Sequence, residues 1–115
     1  MGEVDFSKKL VALFEARGAW VFNVHGGNMQ RAGIPDLCIQ HPEWSGWLEL
    51  KVGKNEASAI QKKNLRDLVR CGACAVVCRF VDGNLQFEHE GSVLQFPMDS
   101  KILEHCKVMW RCFSC

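Results

Sequence analysis

Two short stretches of alternating polarity, set on either side of a turn, constrain this chain more than anything else in it. Leu37-Cys38-Ile39 and Trp47-Leu48-Glu49-Leu50-Lys51-Val52 both carry the period of two that belongs to strands. Between them, His41-Pro42-Glu43-Trp44-Ser45-Gly46 supplies the proline and glycine of a turn. A hairpin follows, and with it an assignment of faces. Leu37 and Ile39 point one way, Asp36 and Cys38 the other. In the second strand Leu48, Leu50 and Val52 share a face, opposite Trp47, Glu49 and Lys51. Antiparallel pairing then brings Asp36 close to Glu49 and Lys51.

Two carboxylates and an ammonium converging on one side of a small sheet have a chemical use. Like charges held together repel, and a hard divalent cation such as Mg²⁺ or Mn²⁺ relieves the repulsion by taking an oxygen from each. The rest of its octahedral shell remains for water and phosphate oxygens. Such an ion polarises a phosphoryl centre and lowers the pKa of its water, and a nearby lysine can meet the phosphate charge. The same three residues could also be no more than a charged hairpin face with a salt bridge, so their surroundings have to decide.

Those surroundings are specific. Gly33-Ile34-Pro35-Asp36-Leu37 followed by Trp47-Leu48-Glu49-Leu50-Lys51 resembles the PD-(D/E)xK nuclease superfamily. More narrowly, it is similar to the virus-type replication-repair nuclease (VRR-NUC) domain in its compact, phage-like form. The resemblance runs from about Glu3 to Val77. It takes in a leading helix with an acidic residue, the Gly-x-Pro-Asp motif, Glu-x-Lys, and a glutamine opening the next helix. It implies a metal-dependent deoxyribonuclease that hydrolyses phosphodiester bonds, with branched or junction DNA among the substrates to consider. Asp36 and Glu49 would be metal ligands, joined by the carbonyl of Leu50 and by Glu3. Lys51 and Gln61 would complete the catalytic set. It further implies a symmetric homodimer or higher homo-oligomer, since cutting two strands needs two sites, and a cytoplasmic setting in a bacterial or phage-infected cell.

Composition bounds this picture. At 115 residues, with 48% hydrophobic and 23% charged residues, the chain suits one domain with a modest core. We place the nuclease-like core at residues 3–80, with a C-terminal extension over 81–115. A net charge of +1 excludes a histone-like polycation, yet it is compatible with an acidic metal site balanced by basic patches elsewhere. No apolar run approaches the roughly 20 residues needed to span a bilayer. The N-terminus lacks a signal-peptide pattern, so neither a membrane partner nor secretion is expected.

Along the chain, Glu3 to Arg17 reads as an amphipathic helix. At about 100° per residue, Phe6, Leu10, Leu13 and Phe14 fall in one arc, and Glu3 falls inside it, whereas Asp5, Lys8 and Glu15 do not. Burial of an acidic residue wants a reason; helix-dipole stabilisation of a solvated Glu3 is the alternative to a metal ligand. Gly18 suits the helix end, and Trp20–Val24 a strand. His25-Gly26-Gly27 leads a glycine-rich connection that either brings backbone close to a phosphate, with Arg31 as a clamp, or is a loop with no ligand.

Ser58 and Gln61 match a capping box, so a second helix is expected from Ala59 to Arg70. Ile60, Asn64, Leu65 and Leu68 face one way with Gln61, which serves as cap partner, as a group aimed at the site, or both. Lys62, Lys63, Arg66 and Arg70 form a basic stripe suited to a DNA backbone or simply to solvent. Ala73–Phe80 is a buried strand. Val81-Asp82-Gly83-Asn84-Leu85 signals a hairpin, Val93–Phe96 a further short strand, and Asp99 or Ser100 the cap of a last helix. The class is therefore α/β: a restriction-endonuclease-like core with a mixed four- to five-stranded sheet, flanking helices and a parallel, right-handed βαβ crossover.

Seven cysteines include two Cys-x-x-Cys pairs, Cys71/Cys74 and Cys112/Cys115. With Cys106 or His105 as substitutes, they could bind zinc. Reduced thiols acting as small hydrophobes are the default for such a chain. Beside the nuclease stand two other functions: a nucleic-acid-binding module that keeps the fold without cutting, and a zinc-stapled interaction protein.

Overall fold

The alternating stretches pair as the hairpin that their polarity demands. In the computed structural model, which describes residues 1–24 and 31–114, the elements follow in the order α1 (Glu3–Ala16), β1 (Trp20–Asn23), β2 (Leu37–Gln40), β3 (Gly46–Val52), α2 (Ala59–Arg70), β4 (Ala75–Val81), β5 (Asn84–His89), β6 (Ser92–Pro97) and α3 (Ile102–Phe113). The phosphate-loop role considered for His25, Gly26 and Gly27 lies outside the described residues, as does Cys115.

All six strands form one sheet in the order β1-β2-β3-β4-β5-β6. Every neighbouring pair is antiparallel except β3 and β4, which are parallel and joined by α2. The sheet exceeds the expected four to five strands because the C-terminal strands continue it. Two-residue turns at Asp82-Gly83 and Glu90-Gly91 fold β4, β5 and β6 back on one another. All four of these residues have positive φ, at 50°, 78°, 47° and 83°. That is the geometry of type I′ turns, whose twist matches that of the flanking strands.

The helices end where glycine permits. Gly18 N–H donates to the Glu15 carbonyl and Ala19 N–H to that of Phe14. Gly72 and Ala73 repeat the pattern on Val69 and Leu68. Both are Schellman closures, with φ of +83° at Gly18 and +98° at Gly72.

One face of the sheet carries the larger core. Phe6, Leu10 and Phe14 of α1, with Ile102, Leu103, Cys106 and Met109 of α3, pack on Leu37, Ile39, Leu48, Leu50, Val76, Cys78, Leu85 and Phe87. Complete burial of each large side chain contributes about 2 kcal/mol. The segment beyond Val81 thus shares the core of what precedes it. On the opposite face α2 seals a smaller cluster: Ala57, Leu65, Ala75 and Val77, flanked by Trp47, Leu68 and Val69. Among the described residues, no helix is long and apolar enough to cross a membrane.

Candidate active site

The register of the hairpin sets the acidic pair. Leu37 lies opposite Leu48, Cys38 opposite Trp47 and Ile39 opposite Gly46. One step further places Asp36 across from Glu49. Since Leu48, Leu50 and Val52 all belong to the α1–α3 core, alternation turns Trp47, Glu49 and Lys51 to the α2 face. Asp36 is locked by a 2.7 Å hydrogen bond from Leu50 N–H to its Oδ2. Gly33, with φ +75°, makes the tight approach that leads into it; a Cβ there would stand 2.9 Å from Asn64 Nδ2.

Glu49 is the unusual member. It is only 1% exposed, and its Oε1 is buried with no hydrogen-bond partner. Lys51 Nζ stands 3.6 Å from its Oε2. Burial first, then the charge of Asp36 and a hydrogen bond shared with it, push the Glu49 carboxyl from its ordinary 4.5 up to about 8. Lys51 pulls the other way, and Glu3 adds a smaller upward push. Near neutral pH the Glu49 carboxyl therefore largely keeps its proton.

A buried carboxylate oxygen without a partner is costly, and it sits beside a second carboxylate. These hard oxygen donors fit a hard divalent cation. Asp36 and Glu49 would hold it, with the Leu50 carbonyl on the same strand. Among the described residues, no three His, Cys, Asp or Glu side chains gather closely enough to hold an ion. Glu3 is accordingly not a member of such a cluster. It lies on the arc of Phe6 and Leu10 as expected, but burial of that stripe begins one turn later, and Glu3 is exposed at the positive end of the helix dipole.

The other expected residues distribute as follows. Gln61 completes a reciprocal capping box: its Oε1 accepts from Ser58 N–H at 2.8 Å, and its own N–H donates to Ser58 Oγ at 3.2 Å. Its amide oxygen is thereby engaged in the cap. The basic stripe divides. Lys63 and Arg70 bind Asp67 at 2.7 and 3.4 Å. Lys62 and Arg66 instead line a cavity of about 410 Å³ on the other flank of α2, together with Glu56, Glu88 and Glu90. Arg31 is exposed and lines a smaller cavity next to Pro35 and Trp47.

Two further residues brace the site. Asn64, on the apolar stripe of α2, is 4% exposed and donates through Nδ2 to the Ala32 carbonyl at 2.9 Å, clamping the turn before Asp36. Arg79, beside Lys51 in the β3–β4 register, binds Glu88 at 2.5 and 3.1 Å. It also donates to the carbonyls of Gly53 and Asn55, fixing the loop that follows Lys51. A polar residue on an apolar helix face, and a cation inside a valine-rich strand, were the available signals.

The cysteines are divided by burial. Cys74, Cys78 and Cys106 lie in the α1–α3 core. Desolvation raises the Cys74 thiol to about 12 and pushes Cys78 and Cys106 upward as well, so these three are neutral thiols behaving as small hydrophobes.

No protein-family model and no curated protein matches this chain. Among solved structures it is similar to Hjc of Archaeoglobus fulgidus, a Holliday junction resolvase from an archaeal hyperthermophile. The TM-score is 0.58 and the sequence identity 19%, over 87% of this chain and 92% of that one. At such identity the likeness establishes the fold alone, and a match over 87% of the chain extends past Val77.

Proposed function

We propose that this protein is a divalent-metal-dependent deoxyribonuclease of the PD-(D/E)xK kind, similar in motif to the VRR-NUC form. The observation that carries the reading is the buried Glu49 carboxyl, with an orphaned oxygen, opposite the half-buried Asp36 and beside Lys51. A fold that gains nothing from burying an ionisable group retains it where the group has work to do. The similarity of the fold to a junction resolvase supports DNA as the substrate and branched DNA as its preferred form.

In this reading Asp36, Glu49 and the Leu50 carbonyl bind Mg²⁺ or Mn²⁺, which when bound polarises the phosphoryl group and activates water. The chain supplies the rest. Leu50 N–H holds the Asp36 carboxylate in one orientation. Lys51 offers its ammonium to charge developing on the phosphate. Arg79 fixes the loop after Lys51, and Asn64 the turn before Asp36. Glu3 and Gln61 act as auxiliaries from the flanking helices. Lys62, Lys63, Arg66, Arg70 and Arg31 contact the phosphate backbone, a symmetric homo-oligomer supplies the second cut, and the enzyme works in the cytoplasm.

The test is Asp36→Asn, which keeps an acceptor for Leu50 N–H and so spares the fold. Cleavage of linear and branched DNA in Mg²⁺ and Mn²⁺ should fall at least about a hundredfold with an unchanged circular dichroism spectrum. Undiminished cleavage refutes the assignment. Binding in EDTA without cleavage by the parent protein would leave a DNA-binding module on this fold.

A further inference from the structure

The sheet face that carries Asp36 and Glu49 also carries an aromatic strip that the proposed chemistry does not use. Trp20 and Phe22 on β1 are 61% and 48% exposed, with their rings stacked at a centroid distance of 6.1 Å and an interplanar angle of 16°. Val21 between them packs against the α1–α3 core, so alternation turns both rings to the α2 face. Phe22 lies opposite Cys38, and Cys38 lies opposite Trp47. This cross-strand row is two residues, or about 7 Å, from the row that pairs Asp36 with Glu49.

Trp47 also walls a cavity of about 170 Å³, with Arg31, Pro35, Asn64, Asp67 and Leu68 around it. An engineered cavity of about 150 Å³ takes up a benzene ring, and pockets for drug-sized ligands start at roughly 300 Å³. The space therefore suits one planar heterocycle. Apolar walls from Ile34, Pro35, Trp47 and Leu68 give it stacking surface. Among the described residues, Arg31 has no hydrogen bond or ion pair, which leaves its guanidinium available for a phosphate at the rim.

We propose that this part of the sheet binds unpaired DNA bases, with Trp20 and Phe22 as a stacking platform and the Trp47 cavity as the seat of a single base beside the scissile phosphate. The inference rests on the nuclease reading, and it names the substrate class: DNA with nucleotides outside a duplex stack, as at junctions, flaps, bulges or single strands. Bases inside an intact duplex have their faces covered by their neighbours and cannot reach a protein ring. The competing occupant is a second copy of this chain on the open β1 edge. The cationic rim at Arg31 favours the anionic strand.

Binding in EDTA separates these possibilities without requiring cleavage. The double variant Trp20→Ala/Phe22→Ala alters only exposed rings. Its affinity for an oligo-dT strand and for a branched DNA with an unpaired arm should drop at least about tenfold, while affinity for a fully paired duplex stays within about twofold. A 2-aminopurine at the unpaired position nearest the branch should be quenched by the parent protein. Trp47→Ala should lose that quenching, and Trp47→Phe, which keeps a stacking ring, should retain most of it. Equal losses on paired and unpaired DNA, or no binding of either, overturn the proposal. So does a double variant that sediments as a smaller assembly, which would assign the rings to a copy–copy interface. A parent protein that binds unpaired DNA but never cuts it in Mg²⁺ or Mn²⁺ would sink the nuclease reading and leave the binding result standing.

Discussion

Burying a carboxyl group raises its pKa, and the same shift obliges the folded state to hold a proton that the unfolded chain has released. At Glu49 the two values are about 8 and 4.5. Below pH 4.5 both states are protonated, and the neutral side chain rests in the sheet at little electrostatic cost. Between pH 4.5 and 8 folding takes up a proton, so stability declines as pH rises, and it levels off once the folded form has ionised. Glutamine mimics the protonated form and can still donate to Asp36. We therefore expect Glu49→Gln to flatten this slope and to be more stable than the parent above pH 8, by a few kcal/mol. Urea denaturation at pH 5, 7 and 9 reads the effect. A slope that survives the substitution would show that Glu49 ionises in the fold as it does in water. In that case its burial would carry no functional meaning.

Among the elements, β4 shows how a strand becomes a scaffold for a neighbouring site. Arg79 is 6% exposed in an otherwise apolar run. Its guanidinium ties Glu88 of β5 to the Gly53 and Asn55 carbonyls of the loop after β3. Arg79→Met should cost about 3 kcal/mol in a thermal or urea unfolding experiment, because it strands a partly buried carboxylate and leaves two carbonyls without their donor. Arg79→Lys should recover part of that loss. Arg79 also marks the limit of what the sequence discloses. Local chemistry was legible: the hairpin polarity around Asp36 and Glu49, the Ser58–Gln61 box, the glycine stop at 18, and the Asp82-Gly83 turn all rest on neighbours a few residues apart. The partners of Arg79 and Asn64 are supplied by strands and turns that only the assembled sheet brings near. The Glu90-Gly91 turn escaped for another reason. Glutamate is an uncommon residue at positive φ, so its hairpin lacked the Asn-Gly or Asp-Gly signature that betrays the first one.

At the scale of the whole molecule, the question is whether the motif-bearing half could stand alone, as the sequence division into residues 3–80 and 81–115 invites. The packing argues that it could not. Leu85 and Phe87 of β5 and Ile102, Leu103, Cys106 and Met109 of α3 are buried in the same cluster as Phe6, Leu10 and Phe14. Arg17 to Glu104 and Lys107 to Glu43 tether α3 at 2.7 Å each, to the end of α1 and to the β2–β3 turn. Exposed pairs of this kind contribute little, whereas losing the apolar cover removes several side chains worth about 2 kcal/mol each, comparable with the whole stability of a small domain. Ending the chain after Val81 would also strip β4 of its antiparallel neighbour, opening a hydrophobic edge in the middle of the sheet. The truncated protein should therefore be unfolded or aggregated, with lost near-ultraviolet dichroism and rapid proteolysis, and should neither bind nor cut DNA even though Asp36, Glu49 and Lys51 are all retained. A soluble, cooperatively folding 1–81 fragment would show that the C-terminal strands and helix are an appendage and that the larger core closes without them.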